Sequence, residues 1–441
     1  MHTTPVDNCP VFQDGETVCF LGDSITHTGH YHRFAYDYYL TRFPERTIRF
    51  VNAGIAGDWA GGTRERLTED VTDKKPTSVA IMFGMNDVNR GSYVSGPDAQ
   101  QKAAQQDALD GYRKNMETLV NRLRNEVNEP RLFFMSPSPF DQTVVNNDNN
   151  NQPGCNDGLE RCTKIVRDLA TKNNGTVVDF HGPMTAFNQE RQKADPTYTI
   201  TGPDRVHPGA AGHLMMAWLF LRTQGAPALV SKVVFEAASG QVTESANATV
   251  SRLMINNGTW EFTVLEKALP FPVNNDATEM LTQLPIEQEL NQEIVSFKGL
   301  AAGKYELLID GTLVGRYSAD DLSKGINLAF NTATPQYQQA QTVAQLNGVR
   351  HSNEVALRNY AAARWFLRQS QVNPDDLAAV GVFTETKMNK TGYFEDMVLY
   401  YLKTWPERGL YVTKIIDLEN KLFATRQPVA HTSILRLSQS H

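Results

Sequence analysis

Short apolar runs alternate with helical patterns through the first half of the chain. The helical spacing is clearest at Leu109, Tyr112 and Met116, inside one of the intervals between the runs. Five strands that alternate with helices predict a parallel sheet with helices on both faces, which is an α/β domain. The predicted strands cover residues 17–22, 47–52, 78–83, 131–135 and 176–180.

The pattern changes after Gly225-Ala226-Pro227. From about 230 to 330 the apolar segments are short and separated by turn signals, and Asp310-Gly311 between two of them favours a hairpin. A helical pattern then returns over 336–369, near 394–403 and near 412–422, before an extended segment at 434–437. We therefore predict an α/β domain at 1–228, a small β-sandwich-like module at 229–332, and a mainly helical region at 333–441 that packs on the α/β domain.

Length and composition narrow the protein class. A chain of 441 residues is too long for one ordinary hydrophobic core. Its 41% apolar and 21% charged residues are typical of a globular protein. The 42 basic and 49 acidic residues give a net charge of −7, and no basic run indicates a nucleic-acid partner. The apolar runs are all too short to span a bilayer, so we expect no membrane partner either.

The N-terminal segment and the cysteines leave two questions open. Met1-His2-Thr3-Thr4-Pro5 lacks the basic and apolar parts of a signal peptide. The protein is cytoplasmic if Met1 is the native start, and periplasmic or secreted if a signal was removed. Four cysteines do not make a disulfide framework. Cys155 and Cys162 could pair only if Cys155 precedes the helix, because seven helical residues rise by roughly 10 Å.

Residues of catalytic type follow the predicted strands. Ser24 follows the first strand, and Asp204 and His207 stand just before the last helix of the α/β domain. The carboxyl ends of parallel strands meet at one edge of a sheet, so we expect these residues to lie together. The spacing Asp-x-x-His allows the carboxylate to hold the imidazole while the other ring nitrogen faces the serine. The sequence therefore predicts a catalytic triad with Ser24 as nucleophile.

The second and third strands supply candidates for stabilising an oxyanion. Gly57 follows the second strand and exposes a backbone N–H without a side chain in the way. Asn86 follows the third strand and offers a side-chain amide. With the N–H of Ser24, these groups predict an oxyanion hole of three donors.

Four blocks carry a resemblance to a known family. They are Gly22-Asp23-Ser24-Ile25-Thr26, Ala56-Gly57-Asp58, Gly84-Met85-Asn86-Asp87 and Asp204-Arg205-Val206-His207-Pro208. In this order they resemble the signature blocks of the SGNH (GDSL-type) hydrolases, over about residues 15–225. The resemblance implies a flavodoxin-like three-layer α/β/α fold with a five-stranded parallel sheet and hydrolysis of esters without a metal or organic cofactor. It assigns the family's named residues to Ser24, Gly57, Asn86 and His207, with Asp204 completing the triad.

Further sequence segments indicate one branch of that family. Tyr38-Tyr39, Asn52-Ala53-Gly54 and the segment 82–88 look most like the carbohydrate-esterase-like branch found in bacteria. Thr26, two residues after the serine, is not the second glycine of a Gly-x-Ser-x-Gly elbow, which argues against an α/β-hydrolase.

Several polar residues beside the blocks are possible pocket residues. Asp23, His27, Asp58 and Asp87 are candidates for the substrate pocket, although Asp23 also suits a bond to local backbone. His27, His30 and His32 do not have the spacing of usual zinc ligands, so we expect no metal site.

Together these features predict a serine ester hydrolase that removes acyl groups, above all O-acetyl groups, from saccharides through an acyl-enzyme on Ser24. Its partner would be an acylated saccharide or another small ester, and the oligomeric state stays open. One alternative is a lipase or thioesterase that acts on longer acyl chains. Another is a glycan-binding protein whose β module binds the glycan and whose hydrolase site is vestigial.

Overall fold

The computed structural model describes residues 10–146, 150–273, 275–388 and 392–438. The segment Met1–Pro5, on which the expectation about a signal peptide rests, lies outside the described residues. The strands are β1 Thr17–Gly22, β2 Arg49–Gly54, β3 Ser78–Met82, β4 Arg131–Met135, β5 Thr176–Val178, β6 Leu229–Glu236, β7 Gln241–Ala246, β8 Ala248–Asn256, β9 Thr259–Glu266, β10 Gln292–Lys298, β11 Lys304–Ile309, β12 Thr312–Ser318, β13 Ile326–Asn327 and β14 His431–Leu437.

The helices differ widely in length. The α-helices are α1 Ser24–Thr28, α2 His30–Arg42, α3 Leu67–Asp70, α4 Ala99–Glu126, α5 Cys155–Lys172, α6 His181–Gln192, α7 Ala210–Thr223, α8 Ile286–Leu290, α9 Ala319–Lys324, α10 Pro335–Gln369, α11 Leu377–Thr386, α12 Tyr393–Thr404 and α13 Arg408–Thr425. Short 3₁₀ helices cover Ala60–Glu65, Thr72–Lys74, Arg90–Ser92, Asn275–Thr282 and Trp405–Glu407. Within the described ranges, no helix is both long and apolar enough to cross a membrane.

The chain forms two compact units, and neither is continuous in sequence. The first unit contains the residues up to Arg33, Thr47–Gln224 and Arg350–Ile416. The second unit contains Phe34–Arg46, Gly225–Val349 and the residues from Asp417 onward. The domain boundaries at 228/229 and 332/333 stay a prediction. Each compact unit combines three separate segments of the chain.

The first unit is built on a five-stranded parallel sheet in the order β2-β1-β3-β4-β5. The α/β prediction is confirmed, and this strand order is that of flavodoxin-like folds. Alternate side chains of β1 point to opposite faces of the sheet. Phe20 packs with Phe50 and Phe220 at ring distances of 5.1 and 5.6 Å. Cys19 and Leu21 belong to the core formed with α4 and α5.

The C-terminal helices of the first unit have their own core. Tyr360, Trp365, Val398 and Tyr401 form a buried cluster with Ile55, the residue that follows β2. Ile55 also donates its backbone N–H to the carbonyl oxygen of Gly22, 3.1 Å away. The C-terminal helices of this unit therefore pack, through Ile55, at the carboxyl end of the sheet.

The second unit contains two further sheets, in the orders β13-β10-β6-β7 and β12-β11-β14-β9-β8. Phe235 and Phe297 of the first sheet share one core with Trp260, Phe262 and Leu435 of the second. This shared core makes the pair a β-sandwich. β14 comes from the extended segment at the end of the chain, and it lies between β11 and β9 as an inner strand.

The described cysteines are all free and buried. Cys155 is the first residue of α5, and Cys162 lies on the same helix. The pairing that the sequence left open therefore does not form, because the helical rise holds the two thiols apart. Burial raises the pKa of Cys155 to about 12, which keeps this thiol protonated and unreactive.

Candidate active site

Ser24 stands at the junction between the first strand and the first helix. β1 ends at Gly22, and Ser24 is the first residue of α1. Asp23 caps this helix, since its Oδ1 accepts the backbone N–H of Ile25 at 3.0 Å. Asp23 is buried, and burial raises its pKa to about 6. The cap fixes the turn and leaves the Ser24 side chain half-buried at the carboxyl edge of the sheet.

A chain of hydrogen bonds joins Ser24, His207 and Asp204. The Ser24 Oγ lies 2.8 Å from Nε2 of His207, and the His207 Nδ1 lies 2.5 Å from Oδ2 of Asp204. The other oxygen of Asp204 accepts the backbone N–H groups of Val206 and His207 at 3.1 and 3.0 Å. Partial burial raises the pKa of Asp204, but the hydrogen bonds from His207 and the backbone outweigh it and hold the pKa below its usual value. The aspartate is therefore an ionised acceptor that orients the imidazole.

The turn that carries Asp204 and His207 is held tightly. Gly202 has φ +71°, and a Cβ there would lie 2.4 Å from the carbonyl oxygen of His207, so only glycine fits. Arg205, at φ +67°, is buried and donates from Nη1 to the carbonyl oxygens of Asp141 and Val144 at 3.0 and 2.9 Å. These contacts fix the backbone between the two catalytic candidates.

The loop after β2 brings hydrogen-bond donors to the same edge. Gly57 has φ +75°, and its backbone N–H has no acceptor among the described residues. The N–H of Ser24, in the first turn of α1, likewise has no acceptor there. Asn86 donates one amide hydrogen from Nδ2 to the carbonyl oxygen of Asp58 at 2.8 Å, which leaves the second available. Ser24, Gly57 and Asn86 thus follow three adjacent strands and offer three donors.

His27 supports this loop from behind. Its Nδ1 accepts the backbone N–H of Ala56 at 3.1 Å, and its Nε2 lies 3.0 Å from Oδ1 of Asn359 on α10. Burial and the positive charge of Arg358 lower the pKa of His27 to about 4, so the ring is neutral and carries its proton on Nε2.

A buried network of charges lies below the loop. Arg66 donates to Asp58 from Nε at 2.8 Å and to Asp70 from Nη1 at 2.9 Å. Arg358 of α10 contacts both oxygens of Asp70 at 2.8 Å and donates to the carbonyl oxygen of Gly54 at 3.1 Å. Burial raises the pKa of Asp70, but its pairing with the two arginines outweighs this and leaves that pKa well below the usual range. The network ties β2, the loop and α10 together.

Asp87 joins two loops of the site. It accepts the backbone N–H of Ala60 at 3.0 Å and that of Gly84 at 3.1 Å. Burial, with the nearby charges of Asp23 and Asp58, raises the pKa of Asp87 to about 8. A protonated carboxyl group can keep both bonds at neutral pH without a counter-ion.

The structure places the sequence candidates in two layers. Ser24, Gly57, Asn86, Asp204 and His207 come together at the carboxyl edge of the sheet. Asp23, His27 and Asp58 are buried and hydrogen-bonded within the protein, so they brace the loops and do not line a pocket. Arg66, Arg358 and Asn359 complete this support. No local pattern marked them, because their partners are distant in sequence.

The histidines near α1 do not converge on one point. His32 stacks on Phe20 at 4.9 Å, and its Nε2 lies 3.2 Å from the carbonyl oxygen of Thr26. His30 packs edge-on against His213 at 5.3 Å. In the part of the chain that the structure describes, no group of three or more His, Cys, Asp or Glu side chains could hold a metal ion.

Comparisons with known proteins find relatives for the first half of the chain. Residues 20–215 match the profile of the GDSL-like lipase/acylhydrolase family. An acetylxylan esterase from Geobacillus stearothermophilus is 30% identical over 226 residues, which cover 48% of this chain and 94% of that enzyme. A crystal structure of Axe2, an acetylxylan esterase from the same organism, is 28% identical over 48% of this chain and 95% of its own, with a TM-score of 0.38.

One solved structure resembles the whole chain. It is described as "BT4096 a gut microbial diltiazem-metabolizing enzyme", is 31% identical, and superposes with a TM-score of 0.91. The match covers 98% of this chain and 100% of that one. The strands after residue 225 and the C-terminal helices therefore belong to a shared architecture.

A parallel α/β sheet with a serine, a histidine and an aspartate in hydrogen-bond contact at its carboxyl edge defines a serine hydrolase. The matched family assigns its activity to carboxylic esters. The chain belongs to the GDSL-like lipase/acylhydrolase family.

Proposed function

We propose that this protein removes O-acetyl groups from saccharides through an acyl-enzyme on Ser24. The observation that carries the proposal is the 2.8 Å contact between the Ser24 Oγ and Nε2 of His207, whose Nδ1 is held by Asp204. The similarity to an acetylxylan esterase supports the substrate class.

The proposed reaction runs in two steps. His207 takes the proton of Ser24 while Oγ attacks the acetyl carbonyl carbon, and the protonated ring then gives that proton to the departing sugar oxygen. In the second step His207 takes a proton from water, whose oxygen attacks the acetyl-enzyme. Acetate leaves and the proton returns to Ser24. Asp204 keeps its charge throughout and stabilises the imidazolium.

The negative charge of each tetrahedral intermediate would fall on the former carbonyl oxygen. The N–H groups of Ser24 and Gly57 and the amide of Asn86 are the donors that can receive it. Each such donor typically contributes a factor of about 10²–10³ in rate. Because Asn86 is held by the carbonyl oxygen of Asp58, its donor is oriented before the substrate arrives.

The exposure of the triad favours a substrate with a large alcohol part. The side chains of His207 and Asp204 are 49% and 43% exposed. A triad this open to solvent can accept an acetyl group that projects from a larger molecule. This exposure supports acetyl esters of a bulky alcohol, and the acyl-length series below tests the lipase or thioesterase alternative.

A second candidate follows from the whole-chain likeness to a diltiazem-metabolizing enzyme. Diltiazem carries an O-acetyl group, so the same chemistry would release acetate from it. The two candidates share the mechanism and differ only in the alcohol part of the ester.

The test measures free acetate released from acetylated xylo-oligosaccharides and from diltiazem, and p-nitrophenol released from a series of p-nitrophenyl esters of increasing acyl length. We expect acetate release from the saccharides, with rates that fall beyond four acyl carbons. Ser24→Ala should abolish release, while Ser95→Ala, at an exposed serine, should retain it. Full activity of Ser24→Ala would overturn the mechanism. A preference for long acyl chains would favour the lipase alternative, and an inactive wild type that binds the saccharides would favour the glycan-binding one.

A further inference from the structure

An aromatic side chain from the C-terminal helices lies against Gly57. A Cβ placed on Gly57 would be 2.9 Å from Cζ and 3.4 Å from Cε2 of Phe394. Phe394 is the second residue of α12. The ring edge therefore flanks the glycine whose N–H has no acceptor among the described residues.

The position of this ring is fixed by its neighbours. Phe394 stacks on Phe366 at a centroid distance of 5.2 Å and an interplanar angle of 3°. It also lies 5.8 Å from the ring of Trp365, whose Nε1 donates to the carbonyl oxygen of Gly62 at 3.3 Å. Phe366 and Trp365 belong to α10, which Arg358 and Asn359 anchor to the sheet and the loop. The ring of Phe394 is thus held relative to Gly57 on both sides.

Other aromatic residues extend this surface. Trp59, two residues after Gly57, packs edge-on against Trp365 at 6.0 Å and is 36% exposed. Tyr393 packs against Phe394 at 5.4 Å and is 56% exposed. We call Trp59, Trp365, Tyr393 and Phe394 the aromatic wall. Side chains that served only the core would be buried, whereas Trp59 and Tyr393 are open to solvent, and Phe394 between Tyr393 and Gly57 connects them to the donor loop.

We propose that the aromatic wall binds the ring of the substrate's alcohol part and so determines which acetyl esters are cleaved. This inference rests on the proposed function, in which the carbonyl oxygen faces Gly57 and Asn86. Trp365 is buried and holds the ring of Phe394 in place, so Trp59, Tyr393 and Phe394 are the members that a substrate can reach. In an acetyl ester only the alcohol part is large enough to cover them. The C–H face of a pyranose ring is apolar and flat, and it packs well on an aromatic face.

The wall is a specificity element, and its effect should depend on the substrate. A pyranoside acetate would contact it, whereas ethyl acetate reaches only the triad and the donors. Loss of the Phe394 ring should weaken binding of the first substrate and leave the second unaffected. A role in merely supporting the Gly57 loop would instead slow both substrates equally.

The experiment compares methyl tri-O-acetyl-β-xylopyranoside with ethyl acetate in wild type, Phe394→Ala and Phe394→Leu. We expect Phe394→Ala to lower kcat/KM for the pyranoside about tenfold through KM, which corresponds to about 1.4 kcal/mol. The value for ethyl acetate should stay within about twofold. Phe394→Leu keeps the apolar volume without the ring and should fall between wild type and Phe394→Ala. Leu399→Ala, at a 41% exposed position on the same helix, serves as the matched control.

Each remaining result contradicts the proposal in a distinct way. Equal losses on both substrates would assign Phe394 to support of the loop and overturn the inference. Unchanged rates on both substrates would overturn it too. A wild type that cleaves ethyl acetate but releases no acetate from the pyranoside would overturn the proposed saccharide function as well. Thermal unfolding of the variants separates these results from a failure to fold.

Discussion

His27 accepts the backbone N–H of Ala56 through Nδ1 at 3.1 Å, and Ala56 immediately precedes Gly57. The ring can do this only as the neutral form with its proton on Nε2, and that N–H donates a hydrogen bond to Oδ1 of Asn359 at 3.0 Å. A side chain on α10 thereby selects the tautomer that holds the donor loop in place.

Replacing Asn359 should therefore impair catalysis, because this side chain acts on the donor loop through His27. Asn359→Leu leaves the Nε2–H of His27 buried without its acceptor, which frees the ring to turn away from Ala56. We expect kcat to fall about tenfold, the effect of roughly 1.4 kcal/mol at the transition state, with KM little changed. Asn359→Asp keeps an acceptor oxygen and should retain most of the activity. Steady-state kinetics on p-nitrophenyl acetate measures both, and equal effects of the two changes would contradict this role.

Asn86 should contribute mainly to kcat. Asn86→Ala removes a donor that would act on the oxyanion, and we expect a loss of about 10²–10³ in kcat with a much smaller change in KM. Asn86→Asp should fare no better, because a carboxylate cannot donate and would repel the developing charge. The same kinetic assay decides the matter. A rise in KM at constant kcat would instead assign Asn86 to ground-state binding.

Arg66 should matter chiefly for stability. Arg66→Met leaves Asp58 buried without its cationic partner, and breaking a buried pair in this way costs about 3–5 kcal/mol. The midpoint of denaturation in urea should drop accordingly. Arg64→Met removes an exposed arginine two residues earlier, and we expect a change of less than about 0.5 kcal/mol. Similar midpoints for the two variants would contradict a stabilising role of the network.

The second unit should lose stability as the pH rises. Glu266 and Glu293 are buried in the sandwich next to a cavity of about 20 Å³ that Ser231 and Gln336 also line. Burial raises the pKa of Glu266 to about 7 and that of Glu293 well above its usual value, although Arg42 opposes the latter shift. A raised carboxyl pKa means that the folded state holds a proton that the unfolded state releases above about pH 4.5. The contribution to stability therefore falls as pH rises from about 4.5 to 7, by up to roughly 1.4 kcal/mol per pH unit for each proton.

Glu266→Gln removes one of these titrations. Its melting temperature should exceed that of wild type at pH 8, and the difference should shrink toward pH 5. Glu261→Gln, at an exposed position on the same strand, should melt in parallel with wild type at every pH. A wild-type melting temperature that rises between pH 5 and pH 8 relative to Glu266→Gln would contradict this assignment.

The sheet of the first unit was predictable because its signals are local. Each strand is a short buried run that ends near a turn, and the candidate residues stand within a few positions of those ends. The parallel arrangement then brings Ser24, Gly57 and Asn86 to one edge without further information. The side chains that support them could not be found in this way. Asn359 is 332 residues from His27, and an interaction between such distant positions leaves no periodic pattern.

The strands of the second unit show the same limit. β7 and β8 are mostly exposed on both faces, so they carry little of the apolar alternation on which strand prediction depends. β14 has a readable apolar pattern, but its place between β11 and β9 is set by partners more than a hundred residues earlier. A sequence pattern identifies a strand more readily than it identifies the neighbours of that strand.

The late positions of Arg358 and Asn359 also bear on how this enzyme matures on the ribosome. A nascent chain that has emerged as far as residue 225 already contains every signature block. It still lacks these two side chains, which brace the donor loop. The sheet can form early, while the reaction centre acquires its final shape only when the last quarter of the polypeptide has been synthesised. For the same reason, a fragment cut at the end of the family match, residue 215, would keep the motif without Arg358 and Asn359 to brace the donor loop.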